Sequence, residues 1–294
     1  MEREPKHGAQ RVFKVLGKNY ELTDQQVEAV ECASRTMPEL VVAGAGSGKT
    51  ELMAARVIWL IANEYALPEQ ILGLTFTRKA AASLAKRVNE AIALLQQSDI
   101  CPDGLKADFT PPNISTYNSF ANNLFRECAL QLGYESDAMQ LTESQQFQLA
   151  REIVVKHGVD IDPGVAELEV SLDSIVEGVL KMSQSMSDNM LKATQVIAYL
   201  DAVEERLSSL EGRAGQHYAP MRDAFANFAK TRVYARLAER LQAEKKARNL
   251  VDYADQVALA EQAVRENEAF KKQQQDQYRF VLLDEYQDTS FLQT

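Results

Sequence analysis

The 294-residue sequence predicts an α/β fold with a parallel sheet, carrying a mainly helical inserted subdomain. Short apolar runs of strand length alternate with helical repeats over residues 1–133. Helical periodicity then dominates residues 134–270, where strand signals vanish. The α/β pattern resumes over residues 271–294, where an apolar run ends in adjacent carboxylates. We therefore predict that the first and last ranges form one α/β domain around the helical insertion.

A glycine-rich segment at residues 39–50, ELVVAGAGSGKT, predicts a buried β-strand that runs into a phosphate-binding loop. Small residues let backbone N–H groups approach phosphate oxygens, and the next helix presents its positive N-terminus to the anion. Lys49 would reach the β- and γ-phosphates, and the Thr50 hydroxyl would occupy one Mg²⁺ position. The predicted nucleotide-binding residues of this segment are Ala43, Gly44, Ala45, Gly46, Ser47, Gly48, Lys49 and Thr50.

The loop departs at one position from the usual pattern G-x-x-x-x-G-K-[ST], because Ala43 stands where the first glycine is expected. The competing interpretation is a glycine-rich turn before an ordinary helix. The strand-like run before the loop and the helical run ELMAARVIWLIANEY after it are the context that a phosphate loop requires. This context favours phosphate binding.

A second chemical signal lies at residues 280–289, FVLLDEYQDT. The apolar run at 281–283 is typical of a strand covered on both faces. Asp284 follows it at the carboxyl end, where open α/β sheets bind ligands, and would hold Mg²⁺ through water. Glu285 would orient and deprotonate an attacking water. The alternative is a solvated acidic turn after a core strand, but the combination with the loop favours a nucleoside triphosphatase site.

Apolar periodicity and turn-forming residues define the remaining predicted elements. They are a helix at 23–33 that starts at a Thr–Asp cap, a strand at 71–76, a helix at 78–93, a loop at 99–113, a strand at 114–116 and a helix ending near 131. Within the insertion, we predict breaks near 158–164 and 211–220.

The composition excludes a generally basic, polyanion-binding protein, because the net charge is −10. Residues 1–130 nevertheless carry 14 Lys and Arg against 15 Asp and Glu, so any nucleic-acid contact is local and favours this part. The three cysteines lack the C-x-x-C spacing of metal or redox sites. The sequence also shows neither the apolar core of a signal peptide nor a membrane span, so we expect a cytoplasmic protein without a membrane partner.

The order of these motifs resembles the UvrD/Rep/PcrA family of superfamily 1 DNA helicases. The matching segments are LTDQQVEAV, AGAGSGKT, LTFTRKAA, ISTYNSFA and VLLDEYQDTS. That family commonly has alanine at the position of Ala43, which accounts for the departure from the strict loop pattern. The resemblance implies a RecA-like P-loop NTPase domain and an ATP-driven motor that moves 3′→5′ on single-stranded DNA.

The resemblance also implies roles for individual residues at the nucleotide. Gln26, in the first matching segment, would contact adenine. Lys49 would contact the phosphates, while Thr50 and Asp284 would hold Mg²⁺. Glu285 would act on the water that attacks ATP. The predicted catalytic residues are therefore Glu285 and Lys49.

Five further residues match the family's DNA-facing motifs: Phe76, Thr77, Arg78, Tyr117 and Asn118. An aromatic side chain can stack on a base without reading its identity, and an arginine can contact phosphate. The alternative for Phe76 and Tyr117 is a packing role. The sequence departs from the family at Asn118, where many members have histidine, and at the residue after Thr50, where it has glutamate instead of arginine.

The family needs a second RecA-like domain, which supplies an arginine finger, and the resemblance therefore implies an N-terminal portion of a longer helicase. Its partners would be single-stranded DNA and junctions of single- and double-stranded DNA, in repair or recombination. Because an arginine finger contributes about 10³–10⁵ in rate, we expect this portion to bind ATP–Mg²⁺ weakly, to hydrolyse it barely and to unwind nothing alone. Segments STYNSFA and NLVDYADQVALA are similar to actinobacterial AdnAB-type helicase–nuclease chains, which implies a helicase–nuclease partner subunit.

Two other classes of function compete with this interpretation. The chain could be a non-motor P-loop nucleotide-binding module that acts through partners, and continuation of the gene into a second RecA-like domain would argue against it. It could also be a small-molecule kinase built on the same loop. The long helical insertion and the DEYQDT strand end argue against a kinase.

Overall fold

The computed structural model describes residues 4–32, 38–44, 46–105, 109–209 and 219–289. They divide into two compact units. The first comprises the described residues up to Phe120 together with Asn267–Asp288. The second comprises those of Ala121–Glu266, with Thr289.

The helices, in chain order, are α1 (Ala9–Val15), α2 (Asp24–Glu31), α3 (Lys49–Ala62), α4 (Arg78–Gln96), α5 (Tyr117–Cys128), α6 (Glu143–Ile161), α7 (Leu172–Asp188), α8 (Ala193–Ser208), α9 (Ala219–Ala247), α10 (Tyr253–Glu266) and α11 (Glu268–Gln277). The strands are β1 (Ile71–Thr75), β2 (Asn113–Thr116), β3 (Met139–Gln140), β4 (Leu250–Val251) and β5 (Phe280–Leu283). Among the described residues, no helix has both the length and the apolar character needed to cross a bilayer.

The first unit contains a three-stranded parallel sheet with β1 in the centre, between β2 and β5. Gly73 of β1 pairs with Ile114 on one side and with Leu282 on the other. Because all three strands run in one direction, their carboxyl ends lie at the same edge of the sheet. The predicted parallel sheet of an α/β fold is confirmed, and so are the strands predicted at 71–76 and 114–116.

Two threonines determine where helices of this unit begin. The Thr23 Oγ1 atom accepts a hydrogen bond from the Gln26 backbone N–H at 3.3 Å, which caps α2. The Thr77 Oγ1 atom accepts from the Ala80 backbone N–H at 3.1 Å, which caps α4. The predicted starts of these two helices are confirmed, although α4 extends three residues beyond its predicted end at residue 93.

Helix α3 anchors the core of the first unit, since Ile58, Trp59 and Leu60 are completely buried. It packs against α1, α2 and α4. The Trp59 indole N–H donates to the His7 carbonyl at 2.9 Å, so the large apolar side chain is buried with its polar atom satisfied. The helix that follows the glycine-rich loop therefore has a rigid position.

The strand predicted before the glycine-rich loop is wrong. Residues 38–44 lie in no strand, and Leu40, Val41 and Val42 are exposed. An apolar run becomes a strand only where a sheet edge pairs with its backbone groups. Both edges of β1 are already occupied, and the described residues 38–44 pair with neither outer edge of the sheet.

The prediction that β5 is covered on both faces is also wrong. The strand exists, but burial alternates along it: Phe280 and Leu282 are buried, whereas Val281 is 52% exposed and Leu283 is 38% exposed. One face therefore packs into the core of the first unit while the other does not. An unbroken apolar run reports the composition of a strand, not which of its faces the rest of the chain covers.

The second unit is mainly helical, and α9 packs against α6, α7 and α8 around an apolar core. The predicted break near 158–164 is confirmed, because α6 ends at Ile161 and a short 3₁₀ turn follows at Pro163–Glu167. The other predicted break, near 211–220, lies almost entirely outside the described residues.

The expectation that this region lacks strands is wrong, since β3 and β4 form a parallel pair. Met139 pairs with Leu250, and Gln140 pairs with Val251. Each strand is only two residues long, which is too short to produce an alternating pattern in the sequence.

Candidate nucleotide-binding site

The described part of the glycine-rich loop contains two glycines in left-handed conformations. Gly46 has φ +78° and Gly48 has φ +84°, in the left-handed region that favours glycine. A Cβ atom added at Gly44, Gly46 or Gly48 would meet no heavy atom within 4 Å, so the loop borders open space. The Ser47 hydroxyl donates to the Gly44 carbonyl at 2.8 Å and closes the turn.

Lys49 is the first residue of α3, and its side chain folds back over the loop. Its ammonium nitrogen donates to the Ala43 carbonyl at 3.0 Å and to the Gly44 carbonyl at 3.2 Å. Thr50 follows in the first turn of the helix, where backbone N–H groups lack intrahelical partners and attract anions. Ala45, also predicted as a nucleotide ligand, lies outside the described residues.

Asp284 directly follows β5 at the carboxyl edge of the sheet. Its backbone N–H donates to the Leu74 carbonyl of β1 at 2.8 Å. Burial raises the pKa of the Asp284 carboxyl and the charge of Glu285 adds to the shift, whereas the charge of Lys49 lowers this pKa. Lys49 and Asp284 belong to the same unit, where Lys49 begins α3 and Asp284 follows β5.

Glu285 has φ +52°, which is unusual for a residue with a Cβ atom and costs about 1–2 kcal/mol. Its backbone N–H donates to the Asp284 Oδ1 atom at 3.1 Å, and its carboxylate accepts from the Gln287 side-chain amide. Such left-handed residues persist where surrounding contacts hold them, and they concentrate at functional sites. The exposed Glu285 side chain is therefore presented from a constrained backbone.

Gln26 lies in the first turn of α2, and its side-chain Oε1 atom accepts a hydrogen bond from the Thr23 backbone N–H at 2.9 Å. The side chain thus completes the capping box of the helix. Its predicted contact with adenine stays a prediction.

The residues predicted to face DNA follow the carboxyl ends of β1 and β2, at the same edge as the strand-end carboxylates. Phe76 is 38% exposed, Thr77 caps α4, and Arg78 is exposed. Asn118 is exposed at the start of α5, whereas Tyr117 is only 5% exposed. The Phe76 and Tyr117 rings are in contact, with centroids 5.3 Å apart. Their contacts with DNA stay predictions.

Two side chains that the sequence patterns did not indicate, Lys18 and Tyr20, contact the first turn of α3. Glu51, in the first turn of α3, forms an ion pair with Lys18, and its carboxylate accepts a hydrogen bond from the Tyr20 hydroxyl at 2.7 Å. The hydrogen bond from Lys18 is the largest cause of the lowered pKa of Glu51. Lys18 therefore offsets a negative charge placed next to an anion-binding loop. The only signal in the sequence was the unusual glutamate, because its partners lie in a polar segment far upstream.

The residues present fit a magnesium-bound triphosphate. The Thr50 hydroxyl and the Asp284 carboxylate are the hard oxygen ligands that Mg²⁺ prefers, and this ion needs only one or two carboxylates besides substrate phosphates. The left-handed glycines leave space at the helix N-terminus for phosphate oxygens. Among the described residues, no group of three or more His, Cys, Asp or Glu could hold a metal ion by itself.

The chain is similar in sequence to known DNA helicases. The profile of the UvrD/REP helicase N-terminal domain matches residues 22–294. A probable DNA helicase II homolog of Rickettsia conorii is 27% identical over 261 residues, which cover 87% of this chain and 32% of that protein. ATP-dependent DNA helicase Rep of Escherichia coli is 25% identical over 269 residues, covering 92% of this chain and 32% of Rep. DNA helicase II of Haemophilus influenzae is 34% identical over 139 residues, covering 47% of this chain and 18% of that protein.

The chain belongs to the UvrD/REP helicase N-terminal domain family. It spans about a third of the length of the first relatives that it matches.

Proposed function

We propose that this chain is the ATP-binding first motor domain of a DNA helicase that moves 3′→5′ along single-stranded DNA. The observation that carries the proposal is that one unit contains both Lys49, at the start of α3 after a glycine-rich loop, and Asp284, at the carboxyl end of β5. Membership of the family supports it, because relatives are named DNA helicase II and ATP-dependent DNA helicase Rep.

In this proposal, the N-terminus of α3 and the loop N–H groups bind the phosphates of ATP. Lys49 leaves the Ala43 carbonyl and contacts the β- and γ-phosphates. Thr50 and Asp284 supply oxygen ligands for Mg²⁺, which when bound neutralises charge on the phosphates. Gln26 contacts the adenine base. Together, these contacts with the phosphates, Mg²⁺ and adenine make up a RecA-like nucleotide site.

Glu285 is the proposed general base, which orients the attacking water and accepts its proton. Its constrained backbone supports this role, because a base must be held at a fixed position relative to the water. A second motor domain from outside this chain supplies an arginine finger, which typically contributes about 10³–10⁵ in rate. We therefore expect the 294-residue chain to bind ATP–Mg²⁺ but to hydrolyse it slowly and to unwind nothing alone.

The carboxyl edge of the sheet is the proposed DNA surface. Phe76 would stack on a base, Arg78 would contact phosphate, and Thr77 and Asn118 would flank them. The exposure of Phe76 supports stacking on a base. Tyr117 is buried, which favours an indirect effect on DNA through the residues that it contacts. The substrates in this proposal are single-stranded DNA and junctions of single- and double-stranded DNA, in repair or recombination. A helicase–nuclease partner subunit is a further prediction, which co-purification would test.

A second candidate is a non-motor nucleotide-binding module that acts through partners. It uses the same loop but needs no DNA contact at the sheet edge. Binding of single-stranded DNA that changes with the nucleotide would favour the motor, because a module without a motor function has no reason to couple the two ligands.

The experiment is equilibrium binding of a fluorescent, non-hydrolysable ATP analogue with Mg²⁺ to this chain. We expect Lys49→Ala to weaken binding by about 10- to 100-fold, because charge-assisted hydrogen bonds to phosphate are lost. The matched control is Lys86→Ala on α4, whose lysine is 76% exposed and pairs with Glu90. Equal binding by the parent chain and Lys49→Ala, or no binding by the parent chain, would contradict the proposal.

A further inference from the structure

Tyr117 makes a contact that stacking on DNA would not require. Its hydroxyl donates to the backbone carbonyl of Asp284 at 3.1 Å, across 167 residues of sequence. The side chain is only 5% exposed, in a small apolar cluster with Leu72 and Leu74 of β1. The hydroxyl therefore lies at the strand end that carries the proposed catalytic carboxylates.

The peptide group between Asp284 and Glu285 is held from both sides. The Asp284 carbonyl accepts from Tyr117, and the Glu285 N–H donates to the Asp284 side chain at 3.1 Å. On either side of this peptide, the Asp284 N–H bonds to the Leu74 carbonyl and the Glu285 carbonyl accepts from Asp288, each at 2.8 Å. Because rotation of this peptide plane changes the φ of Glu285, these contacts fix its unusual value of +52°.

The ring of Tyr117 also reaches toward the proposed DNA surface. It contacts the Phe76 ring, with centroids 5.3 Å apart and planes inclined by 54°. Phe76 is 38% exposed and follows β1, the same strand whose Leu74 carbonyl binds Asp284. Two connections therefore run from the end of β1 to the carboxylates, one through the backbone of Leu74 and one through the Tyr117 side chain.

We propose that Tyr117 is a positioning residue that couples Phe76 to the peptide joining Asp284 and Glu285. A base stacked on Phe76 shifts the ring that it contacts, and the tyrosine hydroxyl transmits this shift to the backbone of the proposed general base. The inference rests on the proposed function. In it, Tyr117 affects how strongly DNA stimulates ATP hydrolysis and takes no part in the hydrolysis step itself.

The chemistry of the hydroxyl suits this role. Burial, followed by the negative charge of Asp284, raises the pKa of Tyr117 to about 12. The hydroxyl is the donor in this hydrogen bond, because the backbone carbonyl of Asp284 can only accept.

The test uses the full protein in which this chain occurs and the variant Tyr117→Phe, which keeps the ring and removes the hydroxyl. The matched control is Tyr278→Phe, which removes a hydroxyl that accepts from Asn113 at 2.8 Å in the same unit. The rate of ATP hydrolysis is measured as a function of the ATP concentration and as a function of the oligo-dT concentration. We expect Tyr117→Phe to lower the DNA-stimulated kcat by about 3- to 10-fold, the effect of one hydrogen bond, without changing the KM for ATP.

A second measurement does not depend on activity. Amide hydrogen exchange over residues 281–288, without nucleotide, should become about 3- to 10-fold faster in Tyr117→Phe because the strained peptide loses one restraint. The exchange of Tyr278→Phe over the same residues should match that of the parent protein.

The outcomes separate this inference from the proposed function. If the parent protein shows no ATP hydrolysis, or shows hydrolysis that does not require Lys49, both the inference and the proposed function are overturned. Normal parent activity with an unchanged kcat and exchange in Tyr117→Phe overturns the inference alone. Parallel losses of kcat, ATP affinity and thermal stability in Tyr117→Phe would show a merely structural residue and would also overturn it.

Discussion

The ammonium nitrogen of Lys49 lies 3.0 Å from the carbonyl oxygen of Ala43, so the lysine that ends the glycine-rich loop is bonded to its beginning. The loop can close in this way because Gly46 and Gly48 adopt left-handed backbone conformations. A Cβ atom added at Gly46 or Gly48 would meet no heavy atom within 4 Å, so open space borders the start of α3. Loop shape and helix position together make the proposed phosphate site.

The first prediction concerns the backbone of this loop. Gly48→Ala should lower the free energy of unfolding by about 1–2 kcal/mol, because an L-residue is strained at φ +84°. If the loop relaxes to relieve this strain, affinity for the ATP analogue should fall by about 5- to 30-fold. Chemical denaturation and fluorescence binding measure the two effects.

Gly104→Ala is the matched control, since Gly104 also faces open space but has no left-handed conformation. It should leave both quantities nearly unchanged. A Gly48→Ala protein as stable and as tightly binding as the parent would show that the loop conformation does not matter.

The central sheet and its helices could be predicted from the sequence because their signals are local. The apolar run of β1 and the threonine cap of α2 are contiguous in the chain, and the structure has both where the pattern placed them. The same kind of signal failed for Leu40 and Val42, because a strand also requires a partner edge that a pattern does not reveal.

The finer structure of the candidate site depends on distant contacts. The hydrogen bond from Tyr117 to Asp284 joins residues 167 positions apart, and the hydrogen bond from Tyr20 to Glu51 joins residues 31 positions apart. Periodicity reports which residues share a face of one element, whereas these hydrogen bonds depend on how separate elements pack. The sequence could therefore indicate candidate residues for the chemistry, but not how Glu285 is held.

The second prediction concerns a buried ion cluster in the helical unit. The Lys245 ammonium lies 2.7 Å from the Asp255 carboxylate and 2.8 Å from that of Asp252. Lys245→Met should lower the free energy of unfolding by about 3–5 kcal/mol, because it leaves buried carboxylates without a counterion. Urea denaturation measures the change.

The pH dependence of this loss follows from the pKa of Lys245. Burial opposes its charge, but the two carboxylates outweigh burial and raise the pKa. Stabilisation by a group with a raised pKa is complete below the unfolded value, about 10.4, and is lost as the pH passes the folded value. On the alkaline side, the deficit of Lys245→Met should therefore shrink only above about pH 10.4, as Lys245 of the parent protein loses its charge.

An exposed ion pair provides the control. Lys181 lies 3.9 Å from Glu177 on the surface of α7, so Lys181→Met should cost about 0–1 kcal/mol. Similar losses in Lys181→Met and Lys245→Met would contradict the assignment of Lys245 to a buried cluster.

The third prediction concerns helix packing in the same unit. A Cβ atom added at Gly178 of α7 would lie 2.2 Å from the Cε2 atom of Tyr234 on α9. Gly178→Ala should therefore lower the free energy of unfolding by about 1–3 kcal/mol, although alanine normally favours a helix. Gly158→Ala on α6 is the control, because its Cβ atom would meet Val165 at an ordinary 3.4 Å. A stabilised Gly178→Ala protein would contradict this packing.

The most direct test of the central claim is ATP hydrolysis by the proposed full-length helicase, measured with single-stranded DNA for the parent and for Glu285→Gln. Glu268→Gln, at an exposed position of α11, is the control. We predict that Glu285→Gln binds the ATP analogue normally but hydrolyses ATP about 10²- to 10⁴-fold more slowly, the contribution of a general base. Hydrolysis by Glu285→Gln at the rate of Glu268→Gln would contradict the account.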